Sequence, residues 1–221
     1  MDIVVCLVTT VVAYLLGSIP TGYLVGRAKG VDVRKVGSGN IGATNAFRTL
    51  GKTAGILVLL VDALKGYVAA SQVPTIVQRL IAPSVPPDEA TREYLQIIAG
   101  VVVILGHNYT CWLHFKGGKG IATSAGVLAA LIPITFAIGL GTWIIVCVAT
   151  RYVSVASIAA ALVLPIATWL AHYSLRMIVV AGVMCLLAIY KHKGNIERLM
   201  NGTESKIGGR KSPPSPGALT S

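Results

Sequence analysis

Charged residues are scarce in this chain of 221 residues. They make up 12% of the sequence and hydrophobic residues make up 54%, whereas soluble domains carry roughly 25% charged residues. Because the shortage extends along nearly the whole chain, it excludes a soluble domain with one anchor. The apolar runs are continuous and lack the alternation of a membrane barrel. We therefore predict a bundle of membrane-spanning helices, whose backbones are hydrogen-bonded within each segment.

Cysteine and acidic residues are also few. The cysteines Cys6, Cys111, Cys147 and Cys185 contain no close pair, which argues against a disulfide and against a zinc site. Eight acidic residues against 19 lysines and arginines give a net charge of +11. In a soluble protein this excess would suggest nucleic acid as a partner. In a membrane protein the positive-inside rule explains it, so we expect neither nucleic acid nor a metal ion as a ligand.

Seven apolar segments are predicted to cross the membrane. The first has 23 residues, and at about 1.5 Å per residue it reaches roughly 34 Å, which is enough to cross. The 29-residue run from Ile121 to Ala149 is too long for one span, so Pro133 is expected to divide it. The predicted spans are Ile3 to Val25, Thr53 to Ala70, Tyr94 to Trp112, Ile121 to Leu131, Pro133 to Ala149, Val153 to Leu170 and Leu175 to Tyr190.

The distribution of cations predicts the orientation of the bundle. Six lysines and arginines lie between Arg27 and Lys52, which places that loop in the cytoplasm and the N-terminus outside. With seven spans, the basic C-terminal segment is also cytoplasmic. The proline-rich segment from Val73 to Glu93 becomes an external loop with a short surface helix over Thr75 to Ile81. We predict an all-α domain over residues 1–206 and a flexible tail over 207–221.

A glycine-rich polar stretch, VGSGNIGATNAFR from Val36 to Arg48, follows the first span. Its hydroxyls, amides and guanidinium suit a phosphate better than a metal or an apolar ligand. The dinucleotide pattern GxGxxG from Gly37 to Gly42 is rejected, because a membrane span precedes it where a strand is required. A flexible polar loop is the alternative. The density of polar side chains favours a functional site, with Ser38, Asn40, Thr44, Asn45 and Arg48 as candidate residues.

A second polar stretch, KGGKG from Lys116 to Gly120, lies on the same predicted face. It is not a Walker A loop, because no Ser or Thr follows Lys119. Its glycines still permit close backbone approach, and the helix beginning at Ile121 offers free N–H groups to an anion. A basic turn at the membrane edge is the alternative, and this loop alone does not decide between them.

The third polar stretch runs from Tyr190 to Arg198. The alternative here is a basic segment that touches anionic lipid. In a helix, His192 and Glu197 would be separated by about 140° of rotation, which disfavours a direct His–acid pair. His192 and Asn195 are three residues apart and share a face, with Arg198 one step further along it.

Two further positions carry polar groups inside predicted spans. Asp62 and Lys65 are three residues apart on one helix face, and either a proton path or a structural ion pair would explain them. We favour the structural pair. His107, beside Asn108 at the inner end of the third span, is also interpreted as structural.

Together these stretches resemble the bacterial acyl-phosphate:glycerol-3-phosphate acyltransferases, the PlsY family. The resemblance rests on SGNIGATNAFR at 38–48, DALKG at 62–66, GHN at 106–108, FKGGKG at 115–120 and HKGNIERLMNGTE at 192–204. It implies a seven-helix protein of the bacterial inner membrane with its motifs on the cytosolic side. The implied reaction moves a fatty acyl group from acyl phosphate to the 1-hydroxyl of sn-glycerol 3-phosphate. The products are lysophosphatidate and phosphate.

The resemblance also implies residue roles. Ser38 and Arg48 would hold a substrate phosphate, and Lys119 and its glycines would hold the acyl phosphate or a shared phosphate region. His192, Asn195 and Arg198 would bind glycerol 3-phosphate. The expected catalytic residues are Ser38, Arg48, Lys119, His192 and Asn195. The expected substrate-binding residues are Asn40, Thr44, Asn45, Gly117, Gly118, Gly120, Ser154 and Arg198, and the expected structural residues are Asp62, Lys65, His107 and Glu204.

Several points stay open at this stage. The general base is either His192, whose charge changes near neutral pH, or a phosphate of the substrate. We expect no cofactor, a monomer, and membrane lipid as the surroundings. An organophosphate transporter is the alternative of another class, although no internal repeat of the kind common in transporters is visible. A lipid-binding scaffold is the third interpretation.

Overall fold

Eleven α-helices and one 3₁₀ turn make up residues 2–208, which are the residues that this computed structural model describes. No strand occurs in that range, so the all-α prediction is confirmed. The helices are α1 (Ile3–Ser18), α2 (Thr21–Ala28), α3 (Ala43–Leu50), α4 (Lys52–Ser71), α5 (Val73–Ile81), α6 (Glu89–Asn108), α7 (Ile121–Leu131), α8 (Pro133–Thr150), α9 (Val153–Leu170), α10 (Leu175–Lys191) and α11 (Lys193–Met200), with the 3₁₀ turn at Cys111–Leu113.

Five helical segments of the described chain are long and apolar enough to cross a membrane. They are Ile3–Ala28, Lys52–Ser71, Glu89–Leu113, Pro133–Thr150 and Val153–Leu170. The helices α10 and α11 meet the same criterion only as a pair, with a bend of 54° between them. Helix α7 has 11 residues, or about 16 Å, roughly half of the hydrocarbon core. The number of seven spans and the orientation of the bundle stay predictions.

Pro133 divides the long apolar run as predicted. Helix α7 ends at Leu131 and α8 begins at Pro133. Ile132, between them, has φ −139° and ψ 70°, because a residue before proline is pushed out of the helical region. Proline then fits the first turn of α8, where its missing N–H is not needed. The predicted surface helix over Thr75 to Ile81 is α5, which begins two residues earlier than predicted.

Pro20 interrupts the helix within the first predicted span. Helix α1 ends at Ser18, and Ile19 takes φ −57° and ψ 112°, outside the helical region. The chain resumes as α2 at Thr21. The break exposes two carbonyl oxygens, and both accept side-chain hydrogen bonds: Ser18 O from the Thr110 hydroxyl at 2.6 Å and Ile19 O from Lys65 Nζ at 3.0 Å.

The buried ion pair of α4 lies against this break. Lys65 Nζ is 2.9 Å from Asp62 Oδ1 and both side chains are almost fully buried. Asp62 Oδ1 also accepts a hydrogen bond from the Thr21 hydroxyl at 3.0 Å. The pair therefore connects α4 to the end of α1 and the start of α2, and this geometry supports the structural interpretation of Asp62 and Lys65.

Glycines allow α4 and α7 to pack with their backbones in contact. A Cβ at Gly66 would overlap the carbonyl oxygen of Thr123, and a Cβ at Gly126 would overlap that of Ala63. Small residues serve the same purpose at many helix interfaces in membranes. This close approach holds the start of α7 beside α4.

The segment after α11 is ordered up to the end of the described residues. The amide of Ile207 donates a hydrogen bond to Arg151 O at 2.8 Å, so the chain returns to the start of α9. Of the tail predicted over 207–221, residues 209–221 lie outside the described residues.

The replacement Lys65→Met tests the role of the ion pair. It would leave Asp62 buried without its lysine partner and would remove one of the two donors to the Ile19 carbonyl, the other being the Thr21 amide. Removal of one partner from a buried pair costs about 3–5 kcal/mol. We therefore expect a lower unfolding temperature in detergent, followed by tryptophan fluorescence.

Lys52→Met is the matched control, because Lys52 is exposed at the start of the same helix. We expect its unfolding temperature to equal that of the unmodified protein. Equal stability of Lys65→Met and Lys52→Met would show that the pair does not hold the break.

Candidate active site

A cavity of about 290 Å³ lies at the end of the bundle where the three polar stretches meet. Its mouth is polar, and its depth is lined by apolar side chains of α7, α8, α9 and α10. Most of the predicted site residues line it. They are Ser38, Asn40, Thr44, Asn45, Arg48, Asp62, His107, Lys119, Gly120, Ser154, His192, Asn195 and Glu204. The convergence expected from the sequence is thus present in the structure.

Asn45 organises the first polar stretch. Its side-chain oxygen accepts a hydrogen bond from the Ser38 amide at 2.9 Å. Its nitrogen lies 2.9, 3.2 and 2.8 Å from the carbonyl oxygens of Val33, Val36 and Asn40. The buried Asn45 amide therefore has its donors engaged by the loop itself. This geometry gives Asn45 a positioning role, and its predicted substrate contact stays a prediction.

The loop that Asn45 holds is shaped by glycine. Gly37 and Gly39 have φ of 62° and 69°, a region that other residues rarely adopt. A Cβ at Gly37 would also overlap the Asn45 side chain. The loop leads into α3, whose first turn carries Thr44 and whose last turn carries Arg48.

The glycines of the second stretch divide into two groups. The amides of Gly117 and Gly118 donate hydrogen bonds to Asn108 O and His107 O at 3.2 and 3.0 Å. A Cβ at either glycine would overlap the end of α6, and neither residue lines the cavity. Their glycine identity is therefore explained by packing, and their predicted substrate contact stays a prediction.

Gly120 and the start of α7 do face the cavity. Gly120 has φ 81° and caps α7, and Ile121 and Ala122 line the wall. The first N–H groups of a helix have no partner within it. Helix starts attract phosphate through such donors, so the predicted anion site of the second stretch falls here, next to Lys119.

A chain of hydrogen bonds joins the second and third stretches. Lys119 Nζ donates to the Asn195 side-chain oxygen, and the Asn195 side-chain nitrogen donates to Glu204 Oε1 at 2.6 Å. The Ser154 hydroxyl donates to the same carboxylate oxygen at 2.8 Å. Glu204 thus fixes the orientation of the Asn195 amide, and through it the position of Lys119.

Two arginines flank this chain. Arg198 Nε donates to Glu204 Oε2 at 2.8 Å, and Arg198 does not line the cavity. Arg48 lines it, and its Nη2 donates to Ser205 O at 2.9 Å. The pKa of Arg48 is lowered by burial. The segment around Glu204 therefore connects α3, α9 and α11 across the mouth.

His192 lies in the turn between α10 and α11 and is almost fully buried. Its Nδ1 is 2.7 Å from Ala188 O, so Nδ1 carries the proton in that bond and Nε2 keeps its lone pair. Burial and the charge of Lys119 lower the His192 pKa to about 4. The ring is therefore neutral at pH 7 and able to accept a hydrogen bond.

The mouth is cationic overall. Burial lowers the pKa of Lys119 to about 8; the negative charge of Glu204 opposes this shift, and the positive charges of Arg198, Arg48 and Lys191 add to it. Burial alone would raise the pKa of Glu204, but hydrogen bonds from neighbouring side chains lower it. One carboxylate among several cations leaves an excess of positive charge, which suits phosphate.

His107, near the end of α6, contacts the second polar stretch. Its Nδ1 is 3.7 Å from Asp62 Oδ1, and a Cβ at Gly118 would overlap its Nε2. His107 thus separates the buried ion pair from the second stretch. Both Asp62 and His107 also touch the cavity, which their predicted structural role did not anticipate.

The comparisons with known proteins agree with the resemblance found in the sequence. A family model described as glycerol-3-phosphate acyltransferase matches residues 7–202. The chain belongs to the glycerol-3-phosphate acyltransferase family. A relative of that name from Fusobacterium nucleatum is 42% identical over 201 residues, which cover 89% of this chain and 95% of the relative. Another from Desulforudis audaxviator is 44% identical over 200 residues, with 90% and 94% covered.

Solved structures lead to the same family. Two crystal structures of PlsY, described as an integral membrane glycerol 3-phosphate acyltransferase, match with TM-scores of 0.80 and 0.77 at 38% and 37% identity. The first is the glycerol 3-phosphate form, and the match covers 92% of this chain and 96% of that chain. The second is the lysophosphatidic acid form, and the match covers 92% of this chain and 95% of that chain. The chain is thus a multi-pass acyltransferase of lipid biosynthesis that acts on glycerol 3-phosphate.

The apolar depth of the cavity is the part of this acyltransferase site that the motifs did not reveal. Trp143 Nε1 donates to the Ser157 hydroxyl at 3.2 Å, which joins α8 to α9 just below the polar mouth. Ser157 follows Ser154 at helical spacing, and that was the available signal in the sequence. The apolar wall below Ser157 gave no such signal in the sequence, because every face of these helices is apolar.

The pKa of Lys119 predicts a pH dependence of anion binding. With a pKa near 8, the amine is mostly charged at pH 7 and mostly neutral at pH 9. Because only the charged form attracts phosphate, we expect the dissociation constant of glycerol 3-phosphate to rise about tenfold from pH 7 to pH 9. Isothermal titration calorimetry in detergent measures it.

The variant Lys119→Arg is the control for this effect. A guanidinium stays charged throughout that range, so its affinity should be nearly constant between pH 7 and pH 9. A constant affinity in the unmodified protein would contradict the assignment of the pH effect to Lys119.

Proposed function

We propose that this acyltransferase takes its acyl group from acyl phosphate and transfers it to the 1-hydroxyl of sn-glycerol 3-phosphate. The observation that carries the proposal is one continuous cavity with a cationic mouth and an apolar depth. A donor with a phosphate head and a fatty acyl tail fits both regions at once. The acceptor also carries phosphate, and the mouth has cations on two sides, Arg48 on α3 and Lys119 before α7.

We assign the phosphate of one substrate to Ser38 and Arg48, with Asn40 and Thr44 beside them. Lys119, Gly120 and the free N–H groups at the start of α7 form the other phosphate site. His192 and Asn195 contact glycerol 3-phosphate at the third side. Ser154 and Arg198 act through Glu204, to which both donate hydrogen bonds.

The reaction does not require a covalent acyl-enzyme intermediate. The hydroxyl oxygen of glycerol 3-phosphate attacks the carbonyl carbon of the mixed anhydride and forms the ester bond. The bond between that carbon and the phosphate oxygen breaks, and inorganic phosphate leaves. The cations bring two anions together and neutralise the developing charge, so positioning and electrostatic stabilisation carry the rate.

The hydroxyl proton goes either to His192 or to a substrate phosphate. The neutral ring of His192, which lines the cavity, keeps Nε2 as a hydrogen-bond acceptor. Its low pKa makes it a weak base at neutral pH. A phosphate dianion of the substrate is the stronger base, so we favour phosphate as the proton acceptor and His192 as the group that orients the hydroxyl.

The replacement His192→Ala separates these roles. If a phosphate takes the proton, turnover at saturating glycerol 3-phosphate stays within about tenfold of the unmodified enzyme, whereas loss of a general base costs roughly 10²–10⁴-fold. His172→Ala is the control, since His172 is exposed. A loss of several orders of magnitude in kcat for His192→Ala alone would assign the base to His192.

We further propose that the enzyme is a monomer in the bacterial inner membrane, with seven spans and the cavity mouth facing the cytoplasm. The positive residues around the first polar stretch support this orientation. Acyl phosphate would then enter the site from the membrane, and glycerol 3-phosphate would enter it from the cytosol.

The test of the proposed function uses purified protein in detergent with palmitoyl phosphate and glycerol 3-phosphate. We expect phosphate release that requires both substrates and a lysophosphatidate acylated at the 1-position. Activity with acyl-CoA or acyl carrier protein alone would replace the proposed donor. No release in any mixture, together with uptake of glycerol 3-phosphate into vesicles, would favour the transporter alternative.

A further inference from the structure

The apolar part of the cavity has a closed end, which lies opposite the polar mouth. Leu128, Leu164 and Met184 are 6%, 6% and 5% exposed, and they line the cavity together with Phe136. These four side chains come from α7, α9, α10 and α8, so each wall of the cavity contributes one. All belong to or pack against the main hydrophobic core of the bundle.

The contacts beneath these side chains seal that end. The Thr135 hydroxyl donates to the Thr168 hydroxyl at 3.3 Å, and the Thr168 hydroxyl donates to Leu164 O at 2.7 Å. Both threonines are fully buried, and Ile132 beside them is 1% exposed. Helices α8 and α9 are therefore tied together directly below Phe136 and Leu164.

The order of side chains along each helix fixes the direction of the cavity. On α9 the lining runs from Ser154 at the mouth through Ser157 to Leu164. On α10 it runs from His192 to Met184. The ten residues from Ser154 to Leu164 span about 15 Å. An extended acyl chain advances about 1.25 Å per carbon, given carbon–carbon bonds near 1.5 Å, so this depth holds about 12 carbons.

We propose that Phe136, with Leu164 and Met184, sets the acyl-chain length that the enzyme prefers. This inference rests on the proposed function, since it places the donor's phosphate at the mouth and its chain along the cavity. A closed apolar end discriminates between chain lengths, because a methylene that does not fit must displace packed side chains. Gly139 adds to the narrowness, since a Cβ there would lie 3.0 Å from a methyl group of Leu164.

A side opening is the competing route for the chain. Leu59 and Leu140 line the cavity and are 48% and 44% exposed, so the wall between α4 and α8 faces the surrounding lipid there. A chain that leaves through this opening would never reach Phe136, and its length would matter little. The two routes make opposite predictions for variants at the closed end.

The experiment compares acyl phosphates of 10 to 18 carbons by kcat/KM for phosphate release at saturating glycerol 3-phosphate. In Phe136→Ala we expect the optimum to move two to four carbons longer. Since one methylene in a hydrophobic pocket changes kcat/KM by about 10-fold or more, the ratio for 18 over 14 carbons should rise at least tenfold. Ala161→Leu, one turn nearer the mouth, should move the optimum to shorter chains.

Ile138→Ala is the matched control, because Ile138 lies on α8 but outside the cavity wall and is 42% exposed. Its length profile should equal that of the unmodified enzyme. Phe136→Leu provides a milder change if Phe136→Ala does not fold, and turnover of the 10-carbon donor reports the folded enzyme in each case.

An unchanged profile in Phe136→Ala, Phe136→Leu and Ala161→Leu, each active on the 10-carbon donor, would overturn the proposal and assign the chain to the side opening. That result would leave the proposed function intact. Failure of the unmodified enzyme to use an acyl phosphate of any length would overturn the proposed function instead.

Discussion

The buried pair of Asp62 and Lys65 is the interaction on which the arrangement of the site depends. Lys65 adds a second donor to the Ile19 carbonyl, which also accepts from the Thr21 amide, and Asp62 accepts a hydrogen bond from the hydroxyl of Thr21. Without Lys65 an apolar environment would contain a buried carboxylate that lacks its lysine partner, which is costly there. The pair thereby anchors the interruption between α1 and α2, from which α2 carries the chain toward the first polar stretch.

His107 connects this pair to the second polar stretch, Lys116 to Gly120. His107 lies next to Asp62 on one side and against Gly118 on the other. The loop at Gly117 and Gly118 can approach α6 only because both residues lack a side chain. Lys119 and the start of α7 are consequently held at one side of the mouth, opposite α3 and Arg48. Rigid support of this kind is what a site acting by positioning requires.

Glu204 reduces the repulsion among the cations at the mouth. Its carboxylate accepts hydrogen bonds from Asn195, Arg198 and Ser154, so it neutralises part of the charge and orients neutral groups as well. Asn195 then presents its oxygen to Lys119. One carboxylate at the mouth therefore holds three neighbouring side chains and still leaves the mouth attractive to anions.

The sequence predicted most helices and most of the residues that line the cavity, and what it did not predict has physical reasons. Pro133 and the apolar runs set the helix bounds locally, so they were predictable. The side chains that meet the carbonyls at the interruption before Pro20, Lys65 and Thr110, come from other helices, so no local rule foresees them. The substrate contact of Asn45 stays a prediction. Its hydrogen bonds to carbonyls of the same loop depend on how that loop folds, which residue type alone does not show.

The apolar depth could not be predicted for a further reason. In a soluble helix one apolar stripe marks the buried face, whereas a membrane helix is apolar all round. Phe136 and Ile138 therefore look equivalent in sequence, although one lines the cavity and the other does not. Only the packing of α7 to α10 distinguishes them.

The return of the chain to Arg151 after α11 has a consequence for the order of assembly. Ser205 and Ile207 bind Arg48 and Arg151, and Glu204 joins the two later polar stretches, so the mouth is completed by a segment that follows every helix of the described residues. During translation each of these helices can enter the membrane before this segment is made. The mouth is therefore closed last, when the segment folds back onto helices that are already inserted.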